Sequence, residues 1–344
     1  MQKPSVICLT PVLNEAWILE RFLTCASLWA DHIIIADQQS TDGSVEIAQR
    51  FPKVRLIENP AKKFNEPERR QMLLAEARRI PGPRLLFGLD ADEFLTANFL
   101  NSPEWDAILQ APPGTVISFP WPLVQANAAK LSYFFLAKEL AIGFMDDGSE
   151  PQDRVIHSPR VPAPPGAKTL HAKEIKLMHY CLMDHDRFES RLRWYQCWEQ
   201  LNLHKRPIDL YRFYHTDLFV PSNMVKPVPA EWMLGYEQHG IDMTSVNREG
   251  NYRWDKEVLR FFDEHGTARF KRLAIWDADW TRLHAELYPE KARKNYLDPR
   301  SRFDKLVHRW LRWTQRHYCF HSAPNLGQKF HHRLVQRVLK PLGW

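Results

Sequence analysis

The sequence predicts an α/β fold: a parallel sheet flanked by helices through residue 187, followed by a mostly helical carboxyl-terminal region. Three observations predict it. Short apolar or β-branched runs alternate with helical patterns along the first hundred residues, which is the signature of βαβ units. Acidic and turn-forming residues collect just after those runs, where open α/β sheets bind ligands. From Phe188 onward (FESRLRWYQCWEQL) the apolar spacing is helical rather than alternating.

Val6 to Leu9 is the first run, and Asn14 stands where it can cap a helix in which Ile18, Phe22 and Ala26 fall four apart. His32 to Ala36 is a second β-branched run, closed by Asp37. The turn STDGS follows, with Thr41 and Asp42 as cap candidates, then a helix through Val45 to Arg50 and a third strand at residues 54–58. Glu66 to Arg79 reads as a charged helix. Leu85, Leu86, Phe87 and Leu89 form the kind of short run that is buried on both faces. A helix at Glu104 to Leu109 and a strand at residues 115–121 come next. Gly143 to Asp153 (GFMDDGSEPQD) reads as an acidic loop, and Pro159 to Pro165 as irregular. The resulting division is 1–187, an α/β domain; 188–299, a helical accessory region broken by prolines at 221–229; and 300–344, a basic tail.

With 44% hydrophobic and 26% charged residues, the 344-residue chain can bury a sizeable core. Its five cysteines are odd in number and lack CxxC spacing, which argues against a disulfide framework or a zinc site and fits a reducing cytosol. The start MQKPSVICLTPVLNEAW has too short an apolar stretch for a signal peptide. No stretch nears the roughly 20 apolar residues that span a bilayer. The expectation is a cytoplasmic protein.

The net charge of +6 is unevenly spread, since ten Lys or Arg between Arg300 and Trp344 face the single acid Asp304. Phe303, Leu306, Val307, Trp310 and Trp313 or Thr314 follow helical spacing there, as do Leu326, Phe330, Leu334 and Val338, beside Lys305, Arg309, Arg312, Arg316, Lys329, Arg333 and Arg337. Two readings of these basic amphipathic helices stand. Their apolar stripes pack on the rest of the protein, or part of the surface rests on the anionic inner face of a membrane.

Residues 84–94, RLLFGLDADEF, end an apolar run in three acids. In an extended segment Asp90 and Asp92 share one side. They repel unless something positive sits between them, and hard carboxylate oxygens suit Mg²⁺ or Mn²⁺.

The order Thr10-Pro11-Val12-Leu13-Asn14-Glu15, then Asp37 with Ser40-Thr41-Asp42-Gly43-Ser44, then Asp90-Ala91-Asp92 resembles the family 2 glycosyltransferases, nucleotide-sugar enzymes of the GT-A fold. Gln38 and Gln39 depart from that pattern, in which a second acid and a glycine are frequent. The resemblance implies Pro11, Asn14 and Glu15 beside the nucleotide, Asp37 on the base, and Asp42 organising the loop that closes on it. It also implies Arg69 or Arg70 at the base or diphosphate, Asp90 near the ribose, and Asp92 on a divalent ion. His179 is a candidate further metal ligand, or a buried core histidine. An inverting transferase needs a base for the acceptor hydroxyl. Asp146, Asp147, Glu150 and Asp153 are the nearby acids; Asp147 is favoured, then Asp153. The expected donor is a UDP-sugar and the expected acceptor an envelope glycan or glycolipid.

Two other functions compete. A DxD phosphohydrolase expects Thr or Val where Phe94 stands, with the motif after the first strand. A nucleic-acid-binding protein would use the basic tail but leave the strand-end acids idle, so no nucleic acid is expected. A second DxD, Asp277 and Asp279 in IWDADW, lacks a preceding buried strand and reads as a loop or helix start.

Overall fold

The computed structural model describes residues 3–61, 65–127, 130–151, 159–216, 220–248, 250–292, 294–319 and 326–344. They divide into two compact units, Met1–Met183 with Lys226–Arg248, and Asp184–Val225 with Glu249–Trp344.

The first unit begins with parallel strands β1 (Ser5–Val12), β2 (His32–Asp37), β3 (Val54–Glu58) and β4 (Arg84–Gly88), alternating with helices α1 (Leu19–Ala26), α2 (Ser44–Gln49) and α3 (Glu66–Ala77). β5 (Glu93–Leu95) and α4 (Pro103–Leu109) precede β6 (Val116–Pro120), β7 (Leu123–Asn127), β8 (Lys130–Phe134), β9 (Glu139–Met145), β10 (Thr169–His171) and β11 (Leu177–His179). The chain enters the second unit as α5 (His185–Asn202) and α6 (Pro207–Tyr214), then returns to the first through β12 (Lys226–Pro227) and the single turn α7 (Leu234–Glu237). It finishes in the second unit as α8 (Arg253–His265), α9 (Trp280–Leu287), α10 (Arg302–Cys319) and α11 (Leu326–Leu339).

Seven strands form the main sheet, ordered β10-β6-β9-β4-β1-β2-β3, and five form a second, ordered β12-β8-β7-β11-β5. The apolar runs of β1, β2 and β4 are continuous because both faces are covered. Val6, Cys8, Ile33, Ile35, Leu85 and Phe87 join a core with Leu19 and Phe22 of α1. Ile7, Leu9, Ile34, Ala36 and Leu86 point the other way, onto Leu73, Leu74 and Ala77 of α3.

Four expectations change. The sheet is mixed, since β9 runs antiparallel between β4 and β6. Gly143–Met145, expected in a loop, belong to β9, and Gly143 is required there because a Cβ would stand 2.9 Å from Ile117 and 3.0 Å from Phe87. Asn14 does not cap α1, which starts at Leu19; it adopts φ +56°, a left-handed conformation that Asn tolerates better than most residues. Residues 226–248 leave the helical region and join the first unit, because Trp232, Met233, Tyr236 and Met243 are buried in its core.

The second unit is held by α5 against α8, where Arg193 grips both oxygens of buried Asp255 at 3.0 and 3.1 Å. Asp279 caps α9 by accepting from the Arg282 N–H, so the second DxD is a helix start. Ile208, Tyr211, Val307, Leu311, Leu339 and Trp344 make a further core within this unit.

One topological fact positions the site. β4 lies in the main sheet and β5 in the second, so Leu89 to Asp92 form the joint between the sheets, at the end of β4.

Candidate active site

The loops after β1 and β2 lock to each other. Ser40 Oγ accepts from the Asn14 N–H at 2.9 Å, and Asn14 Oδ1 accepts from the Thr41 N–H at 2.8 Å. Asp42 Oδ2 accepts from the Ala16 N–H at 2.9 Å, while its Oδ1 takes the Ser44 hydroxyl at 2.7 Å. Glu15 donates its N–H to Ser44 Oγ at 2.9 Å and holds the Trp17 indole at 2.7 Å through Oε2. Asp42 thus fastens the loops together. Asp37 ends β2 almost fully buried; its Oδ2 accepts from the Ser40 N–H at 3.0 Å, and its buried Oδ1 has no hydrogen-bond partner among the described residues.

A cleft at these strand ends is lined by Pro11, Arg70, Leu73, Gly88, Asp90 and Arg160. Arg160 comes from the proline-rich segment and spans two acids, donating to Asp90 Oδ2 at 2.8 Å and to Glu93 Oε2. Glu93 is fully buried, and its Oε1 accepts from the Trp121 indole at 3.0 Å. Partial burial is the largest influence and opposes ionisation of Asp90, yet Arg160, Arg70 and Arg69 together outweigh it and hold the carboxyl below its ordinary range. Burial, then the nearby Arg160, lowers Arg70 to about 10.

Asp92 turns the other way, toward His179. β11 runs antiparallel to β5 with His179 opposite Glu93, which brings His179 Nε2 to 3.4 Å from Asp92 Oδ2. Burial alone would lower the imidazole, but Cys181 and Asp92 push it well above its ordinary value. Trp121 stacks on the ring at 5.0 Å and 13°, fixing its plane. The separation exceeds a charge-assisted hydrogen bond of about 2.8 Å. It is near the ~3 Å between neighbouring ligands of an octahedral ion. The pair therefore fits as two ligands of a hard divalent cation that would draw its remaining oxygens from elsewhere. Among the described residues no group of three His, Cys, Asp or Glu completes a metal site.

The structure brings together Pro11, Asn14, Glu15, Asp37, Asp42, Arg69, Arg70, Asp90, Asp92 and His179 within the first unit, at or behind these strand ends. It does not bring Asp147. β9 is antiparallel to β4, so Met145 pairs with Leu85 and the Asp146 N–H donates to Arg84 O at 2.9 Å. Asp147 follows at the amino-terminal end of β4, roughly 15–20 Å from Asp90 at the usual rise per strand residue. It is exposed and accepts from the Ser149 N–H at 2.9 Å. Asp146 is held by Arg78 and Arg84, and Glu150 by Arg78. Asp153 lies outside the described residues.

Sequence reasoning missed Arg160 and Trp121. One signal pointed to Arg160: Gly88, a lone glycine inside an apolar strand, marks a close backbone approach. A Cβ there would stand 2.6 Å from Arg160 O. No comparable signal marks Trp121.

Fold and site together define a GT-A type α/β domain with acids gathered at its strand ends. Residues 7–102 match the family model described as Glycosyl transferase family 2. Residues 7–102 of the first unit therefore carry the family 2 glycosyltransferase match expected from the motifs.

No curated protein matches the chain. Among solved structures it is similar to glucosyl-3-phosphoglycerate synthase from Mycobacterium tuberculosis in complex with Mn²⁺, UDP and phosphoglyceric acid, at 16% identity over 36% of this chain and 44% of that one, TM-score 0.26. It is also similar to GalNAc-T7 with UDP, GalNAc and Mn²⁺, at 11% identity over 77% and 58%, TM-score 0.38. A third is 4-diphosphocytidyl-2C-methyl-D-erythritol synthase, at 12% identity over 50% and 90%, TM-score 0.32. The chain spans less than two thirds of the length of the first two.

Proposed function

We propose that the protein transfers a sugar from a UDP-sugar to a hydroxyl of an envelope glycan or glycolipid, inverting the anomeric carbon with the help of Mn²⁺ or Mg²⁺. The observation that carries this reading is the buried Oδ1 of Asp37, unpartnered among the described residues, at the end of β2 opposite Val12, whose neighbour Pro11 lines the cleft, and inside the segment that matches the family. A buried acceptor left unsatisfied calls for a donor from a ligand. The imide N–H of uracil is such a donor.

In this reading Pro11 and the Asn14–Glu15 turn border the base, and Asp90 meets the ribose. Arg70 and Arg160 face the cleft with guanidinium groups suited to diphosphate oxygens. Asp92 and His179 would hold the cation, which when bound supplies a Lewis acid for the departing diphosphate. The acceptor oxygen attacks the anomeric carbon as its proton passes to a carboxylate, and the bond from that carbon to the β-phosphate oxygen breaks. With Asp147 at the wrong end of the sheet, Asp153 is the proposed base. It lies in sequence between Pro151 and Arg160, both of which line the cleft.

Calorimetry tests donor binding. UDP should bind with Mn²⁺ and at least tenfold more weakly with chelator or in Asp92→Ala; equal, metal-independent binding refutes the reading. Asp153→Asn should lower turnover about 100-fold while Asp147→Asn stays near wild type, the usual scale for a general base. Unchanged turnover in Asp153→Asn overturns the base assignment alone.

A further inference from the structure

Among the described residues no helix is long and apolar enough to cross a membrane. The tail nonetheless exposes an apolar surface. α10 buries Val307 and Leu311, whereas its other side leaves Phe303, Leu306 and Trp313 at 45%, 55% and 60% exposure. α11, joined to α10 where the Trp310 indole donates to His331 at 3.0 Å, goes further. Leu326, Phe330, Leu334 and Val338 recur every four residues and are 86%, 68%, 49% and 58% exposed. The amphipathic pattern thus points outward along α11 instead of into a core.

The surrounding charge is predominantly positive. Arg302, Lys305, Arg309, Arg312, Lys329, Arg333, Arg337 and Lys340 are all exposed, with Lys305 paired to Asp298 at 3.1 Å, and the one acid of residues 300–344, Asp304, is buried and accepts from the Ser301 hydroxyl at 2.7 Å.

We propose that α11, together with the exposed side of α10, lies on the surface of an anionic lipid bilayer. Basic side chains beside an exposed apolar stripe are what an interfacial helix requires, the charges meeting headgroups and the stripe entering the acyl boundary. Trp313 suits the boundary itself. A second copy would set the same positive face against itself, which is repulsive. A nucleic acid would satisfy the charges but leave the stripe in water. The inference stands on the tail and does not depend on the nucleotide-sugar reading.

Co-sedimentation of the full chain with vesicles tests it. The protein should pellet with phosphatidylcholine and phosphatidylglycerol in equal parts at low salt, less at high salt, and not with phosphatidylcholine alone. Lys329→Gln, Arg333→Gln and Arg337→Gln together should weaken binding about 100-fold, near fivefold per charge. Phe330→Ser with Leu334→Ser should weaken it about tenfold or more. All five positions are exposed, and circular dichroism and UDP affinity should stay unchanged. Absence of vesicle binding at low salt overturns the proposal. So does wild-type binding by the serine pair, which would leave only charge attraction. A dimer lost in the serine pair, without vesicle binding, assigns the face to a second copy. Duplex DNA binding that survives the serine pair, without vesicle binding, assigns it to nucleic acid.

Discussion

Replacing Arg160 with methionine keeps the side chain's apolar stem and deletes the charge lying between Asp90 and Glu93. Glu93 is fully buried and keeps two neutral donors, the Trp121 indole at 3.0 Å and the Asp90 N–H at 3.0 Å. Removing one partner of a buried ion pair costs about 3–5 kcal/mol, because the other charge stays buried. The two neutral donors place Arg160→Met near the lower end, about 3 kcal/mol. Asp90 adds little, since its side chain is 43% exposed and water screens it. Equilibrium denaturation in urea measures the loss. Adding Glu93→Gln removes the stranded charge at nearly constant volume, so the double variant should regain about 1 kcal/mol or more over Arg160→Met. The pH dependence follows. Burial already holds the folded pKa of Glu93 above its ordinary range against the pull of Arg160, and removing Arg160 raises it further, so the stability recovered by protonation is present at low pH and lost as pH rises through the folded value. Arg160→Met should therefore lie closest to wild type in acid. If it stays within about 1 kcal/mol of wild type at neutral pH, or if Glu93→Gln adds its full single-variant cost, the two groups are not coupled and the reasoning fails.

Gly88→Ala should cost about 1–3 kcal/mol as an overpacking change, since the new Cβ would stand 2.6 Å from Arg160 O; an unchanged urea midpoint would show that segment 159–162 yields freely. Asp37→Asn removes a half-partnered buried carboxylate, so the free protein should hold or gain stability while UDP affinity falls about 10–100-fold, the scale of a hydrogen bond to a charged group. Calorimetry showing unchanged affinity would remove Asp37 from the base contact. His215 is buried, stacked on Tyr211, and burial lowers it to about 4. Above pH 6.5 it is neutral folded or unfolded; below that the unfolded chain takes up the proton first, so stability falls between about 6.5 and 4. The loss is about 2 kcal/mol by pH 5. His215→Phe should abolish that share of the acid sensitivity, and an unchanged pH profile would rule it out.

The legible parts of the fold were those in which neighbours in sequence meet the same surroundings. Continuous runs such as Leu85 to Phe87 reveal a strand covered on both faces, whatever covers it. Asp37 and Asp90 could be placed because they directly follow such runs at the ligand-binding end of a parallel sheet. Asp147 was misplaced for the complementary reason. Its distance along the chain does not reveal which end of the sheet a strand leaves by, and β9, being antiparallel, exits at the start of β4. The acids beside Asp90 show the same boundary between local and distant information. Repulsion among them demands positive charge, a local inference, and a divalent ion was the expected answer. The structure meets part of that demand with Arg160, seventy positions away from Asp90. Asp92 turns instead toward His179, at 3.4 Å. In the proposed function that demand is split between a guanidinium that orders the joint between two sheets and an ion held at Asp92 and His179. In that proposal the cation would take the place of the His179 proton facing Asp92, since a ligating imidazole is neutral. Loss of metal-dependent UDP binding should accordingly follow Asp92→Ala, while Arg160→Met should register first in stability.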